Sequence, residues 1–240
     1  MITLLTFPKL DAAFSPSPFC VKAALMLDHS GLPWQREDVP DPRKFPHGKL
    51  PAIRTATGQL IGDSDGIRRH LEDQGISFQT GLGAAQRGYG RALIRLAEDH
   101  LYFLLLLDRW GNPEVWPVVR EMFFAEIPAL LRKPVANGMR RRLLRGLDAQ
   151  GLGRFSAQER MQRAEQDLTA VAECLSEHPF LLGNAVSLAD FSMAPMLEAV
   201  SLTPVETALA RRVAGDAALM AYVDRVKAAA QAGPSAPHPM

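Results

Sequence analysis

The chain begins with an apolar run, Ile2-Thr3-Leu4-Leu5-Thr6-Phe7, followed by Phe14-Ser15-Pro16-Ser17-Pro18-Phe19-Cys20-Val21-Lys22. The first reads as a buried strand, and the stretch from Pro18 to Ser30 reads as a helix ended by Gly31 and Pro33. A strand, a Ser/Pro loop and a helix start make an anion site. The first N–H groups of a helix have no internal partner and the dipole is positive there. A thiolate held at that point is stabilised, and its pKa falls. Ser15 and Ser17 are the candidate hydroxyls to donate to it, favouring the ionised sulfur without reacting themselves. Either could instead cap the helix.

Two further features follow in the chain. Gly48-Lys49-Leu50-Pro51-Ala52-Ile53 puts a proline at the mouth of a short apolar strand, and Ile61-Gly62-Asp63-Ser64-Asp65 opens a second helix with a capping pair. Trp34–Val39 reads as a strand. Prolines 40, 42 and 46 leave room for at most a short helix. Ala52–Arg54 and Gln59–Ile61 pair around Thr57-Gly58, and Ser64–Asp73 is a helix stopped by Gly75. Beyond a linker at Thr80–Gly83 no strand is expected. Helices are read at Ala84–Trp110, Pro113–Leu131, Val135–Gln150, from a capping box at Ser156–Glu159 to about Glu177, from Ser187 with Asp190 as a second box, and at Asp216–Ala230. Residues 233–240 are Pro-rich and expected to be disordered.

In this order the motifs resemble the glutathione transferase superfamily. Within it, Ser17-Pro18-Phe19-Cys20 and Asp108-Arg109-Trp110 look most like the metaxins and the failed axon connections proteins. The resemblance implies a thioredoxin-like α/β domain over residues 1–78 and an all-helical bundle over 84–232. It implies a cis Leu50–Pro51 step that turns the Leu50 backbone toward the cysteinyl part of glutathione. Ser64 would bind the γ-glutamyl carboxylate, Asp63 or Asp65 its ammonium, and Lys49 a carboxylate. Ser17 stands where glutaredoxins carry the nucleophilic cysteine of Cys-Pro-Tyr-Cys, which argues against dithiol exchange. Tyr102, Phe103, Leu106 and Trp110 are expected to supply a hydrophobic pocket for a second substrate, since ligand sites favour domain interfaces. A two-fold homodimer is also implied.

Composition narrows the class. Hydrophobic residues make up 47% and charged residues 22%, with a net charge of +1, which gives no general pull toward nucleic acid or acidic membranes. The longest apolar stretch, Leu101–Leu107, is too short for a membrane span, and no anchor or secretory signal is seen. With only Cys20 and Cys174, a disulfide framework is not expected and a reducing cytoplasm fits. Cys20 reads as a small packing residue and Cys174 as structural. No histidine or cysteine spacing suggests a metal. The Arg140-Arg141-Arg142 and Arg145 cluster reads as a solvated helix face or a contact for an acidic partner. The leading expectation is a glutathione transferase acting on a small hydrophobic electrophile, with glutathione as co-substrate. A non-catalytic binding module of the same fold is the alternative, and a thiol-disulfide reductase comes third.

Overall fold

In the computed structural model, residues 1–10 and 12–233 are described; most of the expected disordered tail lies outside them. Strand β1 (Ile2–Thr6) is buried throughout and lies at the centre of the sheet. It pairs in parallel with β2 (Trp34–Asp38) and antiparallel with β3 (Ala52–Arg54), which pairs antiparallel with β4 (Leu60–Gly62), giving the order β2-β1-β3-β4. Helix α1 (Pro18–Ser30) starts with proline in the first turn and ends at Gly31, whose φ of 66° is one that glycine adopts at little cost. Between β2 and β3 the prolines allow only two 3-10 turns, Pro42–Lys44 and Pro46–Gly48. The second turn rides directly over β4. A Cβ on Gly62 would come within 2.5 Å of the Pro46 ring, so this position demands glycine. Helix α2 (Ser64–Asp73) completes the thioredoxin-like half.

The remaining described elements are helical. The expected helix at Ala84–Trp110 is one continuous run in four segments: α3 (Ala84–Arg95), a π-helical turn at Leu96–Leu101, α4 (Tyr102–Leu106), and a second π-helical turn at Leu107–Gly111. Next come α5 (Trp116–Phe123), α6 (Ala129–Gln150), α7 (Ala157–Glu177), α8 (Leu188–Ser201), α9 (Ala208–Ala214) and α10 (Ala217–Gln231). The expected boundary between Leu131 and Val135 is displaced. The chain breaks between α5 and α6, where Pro128 caps the next helix, and Pro134 lies inside α6. In its second turn Pro134 removes a single N–H bond, the one owed to Leu130, whose surroundings are open to water.

The halves share one apolar core. Met26 and Leu27 of α1, Phe78 after α2, and Phe191 and Met193 of α8 belong to the same buried cluster. His29 sits between the Phe78 and Phe191 rings, with centroids 5.7 and 5.3 Å away, and burial holds its pKa below the usual value. Deeper in the helical half, the buried Asp190 carboxylate accepts from the N–H and hydroxyl of Ser187, the N–H of Leu181 and the hydroxyl of Tyr222, at 2.7–2.9 Å.

Candidate functional site

Antiparallel register sets the site. Leu5 stands opposite Ala52, and Ala52 opposite Gly62. The loop after β1, the Leu50–Pro51 step before β3, and the Asp63–Ser64 start of α2 therefore leave the sheet at the same end, side by side. The three motifs separated in sequence become neighbours because the central strand runs against β3. Beneath them Leu5, Cys20, Val39, Leu50 and Ala52 form a small apolar floor.

The two loop serines have different surroundings. Ser15 is buried; its Oγ accepts from the Thr6 hydroxyl at 3.2 Å and from the Ser17 N–H at 3.4 Å. It ties the loop to β1. Ser17 is the N-cap residue of α1 by backbone geometry, yet its hydroxyl caps nothing, and the side chain is half-buried. Pro18 has no N–H, and the Phe19 N–H has no partner among the described residues. The helix start is thus open to an incoming anion, with the Ser17 hydroxyl beside it in contact with the Cys20 thiol. Cys20 is fully buried; burial pushes its thiol pKa up, while contacts with Thr6, the Phe7 backbone, Ser17 and Ser15 pull it partly back. A buried thiol held neutral is a poor nucleophile.

The Leu50–Pro51 bond is cis. Among the described residues, the Leu50 N–H and carbonyl have no hydrogen-bond partner, leaving an edge that an extended ligand backbone can use. Lys49 is exposed in the preceding turn. Asp63 has φ 72° and caps α2 by accepting from the Asp65 N–H at 2.8 Å, while its own N–H bonds to the Pro51 carbonyl at 3.0 Å. Ser64 is buried at the first position of α2, and neither its N–H nor its hydroxyl has a partner among the described residues. Arg68 is partly buried. Its Nε donates to Asp65 at 2.9 Å, and it also reaches Glu72, holding the Asp65 carboxyl below the usual range. Asp63 is therefore the freer carboxylate of the two.

The expected second-domain pocket divides. Tyr102 packs edge-on against Phe19 in the first turn of α1, with centroids 4.8 Å apart, and tilts onto Phe103 at 5.9 Å. Leu106 joins the same core. Trp110 belongs elsewhere: it stacks on Trp116 at 5.1 Å, in a satellite cluster with Val115, Val119 and Phe124. Burial pushes the Tyr102 pKa up to about 12, so its hydroxyl stays protonated at neutral pH.

Two charged groups crossing between the halves were not identified as such from sequence. Glu98, in the first π-helical turn, takes the Lys22 ammonium of α1 at 2.5 Å with both side chains nearly buried, and also accepts from Ser192 and Arg95. Arg109, in the second π-helical turn, is 5% exposed and donates to the Pro16 carbonyl at 3.3 Å, to the Thr203 hydroxyl and to the Ala199 carbonyl. Burial lowers its pKa to about 10, still charged at neutral pH. Arg109 thus clamps the loop that carries Ser17. The sequence signal was present as a basic residue within an apolar helix, but its partner lies 93 positions away. No group of metal-ligating side chains occurs among the described residues.

Comparison with known proteins agrees with this architecture. Residues 18–115 match the glutathione S-transferase N-terminal domain, and residues 154–225 the glutathione S-transferase C-terminal domain. The isoprene-epoxide glutathione S-transferase of Rhodococcus sp. (strain AD45) is 28% identical over 218 residues, 88% of this chain and 91% of that one. Failed axon connections of Drosophila melanogaster and metaxin-1 of Sus scrofa are 27% and 26% identical over 79% and 72% of this chain, which spans 48% and 58% of their lengths. Among solved structures, a glutathione transferase from Phanerochaete chrysosporium superposes with a TM-score of 0.62 at 18% identity, covering 95% of this chain and 96% of that one.

Proposed function

Because the chain belongs to the glutathione transferase superfamily, with family domains matched in both halves, we propose that it binds glutathione at the shared end of the sheet and activates its thiol for attack on a small hydrophobic electrophile. The observation that carries this reading is the row set by the register: Ser17 with the start of α1, the Leu50 backbone, and Ser64 with the start of α2. The Phe19, Leu50 and Ser64 N–H groups have no protein partner among the described residues. The γ-glutamyl carboxylate would take the Ser64 N–H and hydroxyl, and its ammonium the Asp63 carboxylate. The cysteinyl amide would pair with Leu50 as a strand does, and Lys49 would meet the glycyl carboxylate. The sulfur would then lie at Ser17 and the Phe19 N–H, where donors and the helix dipole favour the thiolate. Attack forms a carbon–sulfur bond while a carbon–oxygen or carbon–leaving-group bond breaks. The name of the Rhodococcus relative favours a strained epoxide as the electrophile. Tyr102, Phe103 and Leu106 would form its apolar wall.

Calorimetric titration with glutathione, followed by a conjugation assay, tests this. Ser64→Ala is expected to weaken binding by about tenfold, the worth of a hydrogen bond to a charged group, with little change in unliganded melting temperature. Ser17→Ala is expected to slow conjugation and raise the apparent thiol pKa while affinity changes less. Unchanged rate and pH profile in Ser17→Ala, with an active wild type, would remove Ser17 from the mechanism. Binding without turnover over a panel of epoxides and other electrophiles would favour the non-catalytic module, a reading supported by the metaxin-1 similarity.

A further inference from the structure

Helix α6 turns an unusual surface to solvent. Leu130 is 92% exposed, Leu131 57% and Met139 52%, and Val135 is exposed beside them; Val118 and Met122 of the adjoining α5 are exposed too. An exposed apolar series of this kind on a soluble fold marks a contact surface. The helix is also strongly basic. Within Ala129–Gln150 six residues are Arg or Lys and one, Asp148, is acidic, so this single helix carries a surplus of five in a chain whose total is +1.

Apart from the exposed Lys133, the basic residues fall into two sets. Arg140 turns inward, donating to the Trp110 and Gly111 carbonyls at 2.6 and 3.1 Å and lying over the Trp116 ring, so it closes the end of the long helix. Arg132 is engaged by Glu121. Arg141, Arg142 and Arg145 are exposed and have no ion-pair partner among the described residues. At 100° per residue they share the outward side with Leu130, Leu131 and Val135, opposite the buried Ala136 and Leu147. The outward side is therefore apolar over its first half and cationic over its second. A convex helix of this composition suits an interface that supplies both hydrocarbon and negative charge without needing a matching groove.

We propose that the outward face of α6 docks onto an anionic lipid surface, with Leu130, Leu131 and Val135 entering the headgroup–acyl boundary and Arg141, Arg142 and Arg145 pairing with lipid phosphates. The overall charge of +1 conceals this, because the rest of the chain offsets the helix. The inference is independent of glutathione binding.

Flotation of the full chain with vesicles tests it. Binding is expected to phosphatidylcholine mixed two to one with phosphatidylglycerol, to be absent on phosphatidylcholine alone, and to fall as salt is raised. Each basic residue near such a surface multiplies binding about fivefold, so Arg141→Gln/Arg142→Gln/Arg145→Gln should weaken it about a hundredfold. Leu130→Ser/Leu131→Ser should also weaken it, and because both side chains already face water neither variant should lose its fold, which circular dichroism would verify. Failure of the wild type to bind the mixed vesicles, or equal binding by the triple variant, would overturn the proposal. So would a wild-type dimer split by Leu130→Glu/Leu131→Glu with no vesicle binding, which would assign this face to a second copy of the chain.

Discussion

Lys22→Met is expected to lower unfolding free energy by about 3–5 kcal/mol, the range for removing one partner of a buried ion pair. The Lys22 side chain is 3% exposed and that of Glu98 9%. With Lys22 gone, the Glu98 carboxylate stays buried between the halves, held only by the Ser192 hydroxyl at 2.9 Å and by Arg95, whose own side chain is largely in water. Arg95 offsets part of the loss, which places the expectation toward the lower end of the range. Lys22→Met combined with Glu98→Leu should recover much of the stability, because a well-packed apolar pair of similar volume often replaces a buried ion pair at little cost. Urea unfolding of the three variants measures this. A single-variant loss under about 1 kcal/mol would show that the pair behaves as a solvent-exposed one does.

Asp190→Ala should be more damaging, with an expected loss of about 3–6 kcal/mol, since each buried donor left without an acceptor costs about 1–3 kcal/mol. Four donors converge on this one carboxylate, and the residue is 0% exposed. They come from the turn before α8, from the N-cap of α8 and from α10, so the carboxylate joins three segments that sequence keeps 41 positions apart at the extremes. Burial raises its pKa, and the Leu181 N–H, the Ser187 groups and the Tyr222 hydroxyl pull it back. Ser187→Ala, at the same cap, should cost only about 1 kcal/mol, as ordinary caps do. Thermal and urea melts of both variants decide the matter. Where Asp190→Ala fails to fold, Asp190→Asn and Tyr222→Phe provide the graded series, and equal, small losses in both would show that no single residue organises this corner.

Much of the architecture was legible because local chemistry marks element ends. Pro18 and Gly31 bracket α1, Ser156 and Glu159 open α7 with a reciprocal box, and the Ser64–Asp73 and Ala52–Arg54 bounds were read as observed. The α5–α6 boundary was misplaced because the gap was read at residues 132–134, whereas a proline in the second turn of an exposed helix removes only one bond and the helix runs through it. In the candidate site, the order of the three motifs was readable, but the difference between Ser15 and Ser17 was not. That depends on Thr6, nine positions before Ser15 and brought against it by the fold. The same holds for Lys22 with Glu98 and Arg109 with Pro16: no periodicity encodes a pairing across 76 or 93 positions. The Arg140–Arg145 cluster read as one block, yet the helix points Arg140 inward and the others out.

The two π-helical turns make the long helix a counting device. A π turn closes its ring over five residues, as the Asn112 N–H does on the Leu107 carbonyl at 3.2 Å, where an α turn uses four. Each such turn carries a surplus residue and so resets the angular phase of everything after it by about 100°. Glu98 and Arg109 sit inside these turns. Their aim at Lys22 and Pro16 is therefore fixed by residue number as much as by residue type. Deleting Leu107 or Asp108 would leave composition and helicity almost intact. It would still swing Arg109 off the Pro16 carbonyl, a lesion invisible to any substitution scan.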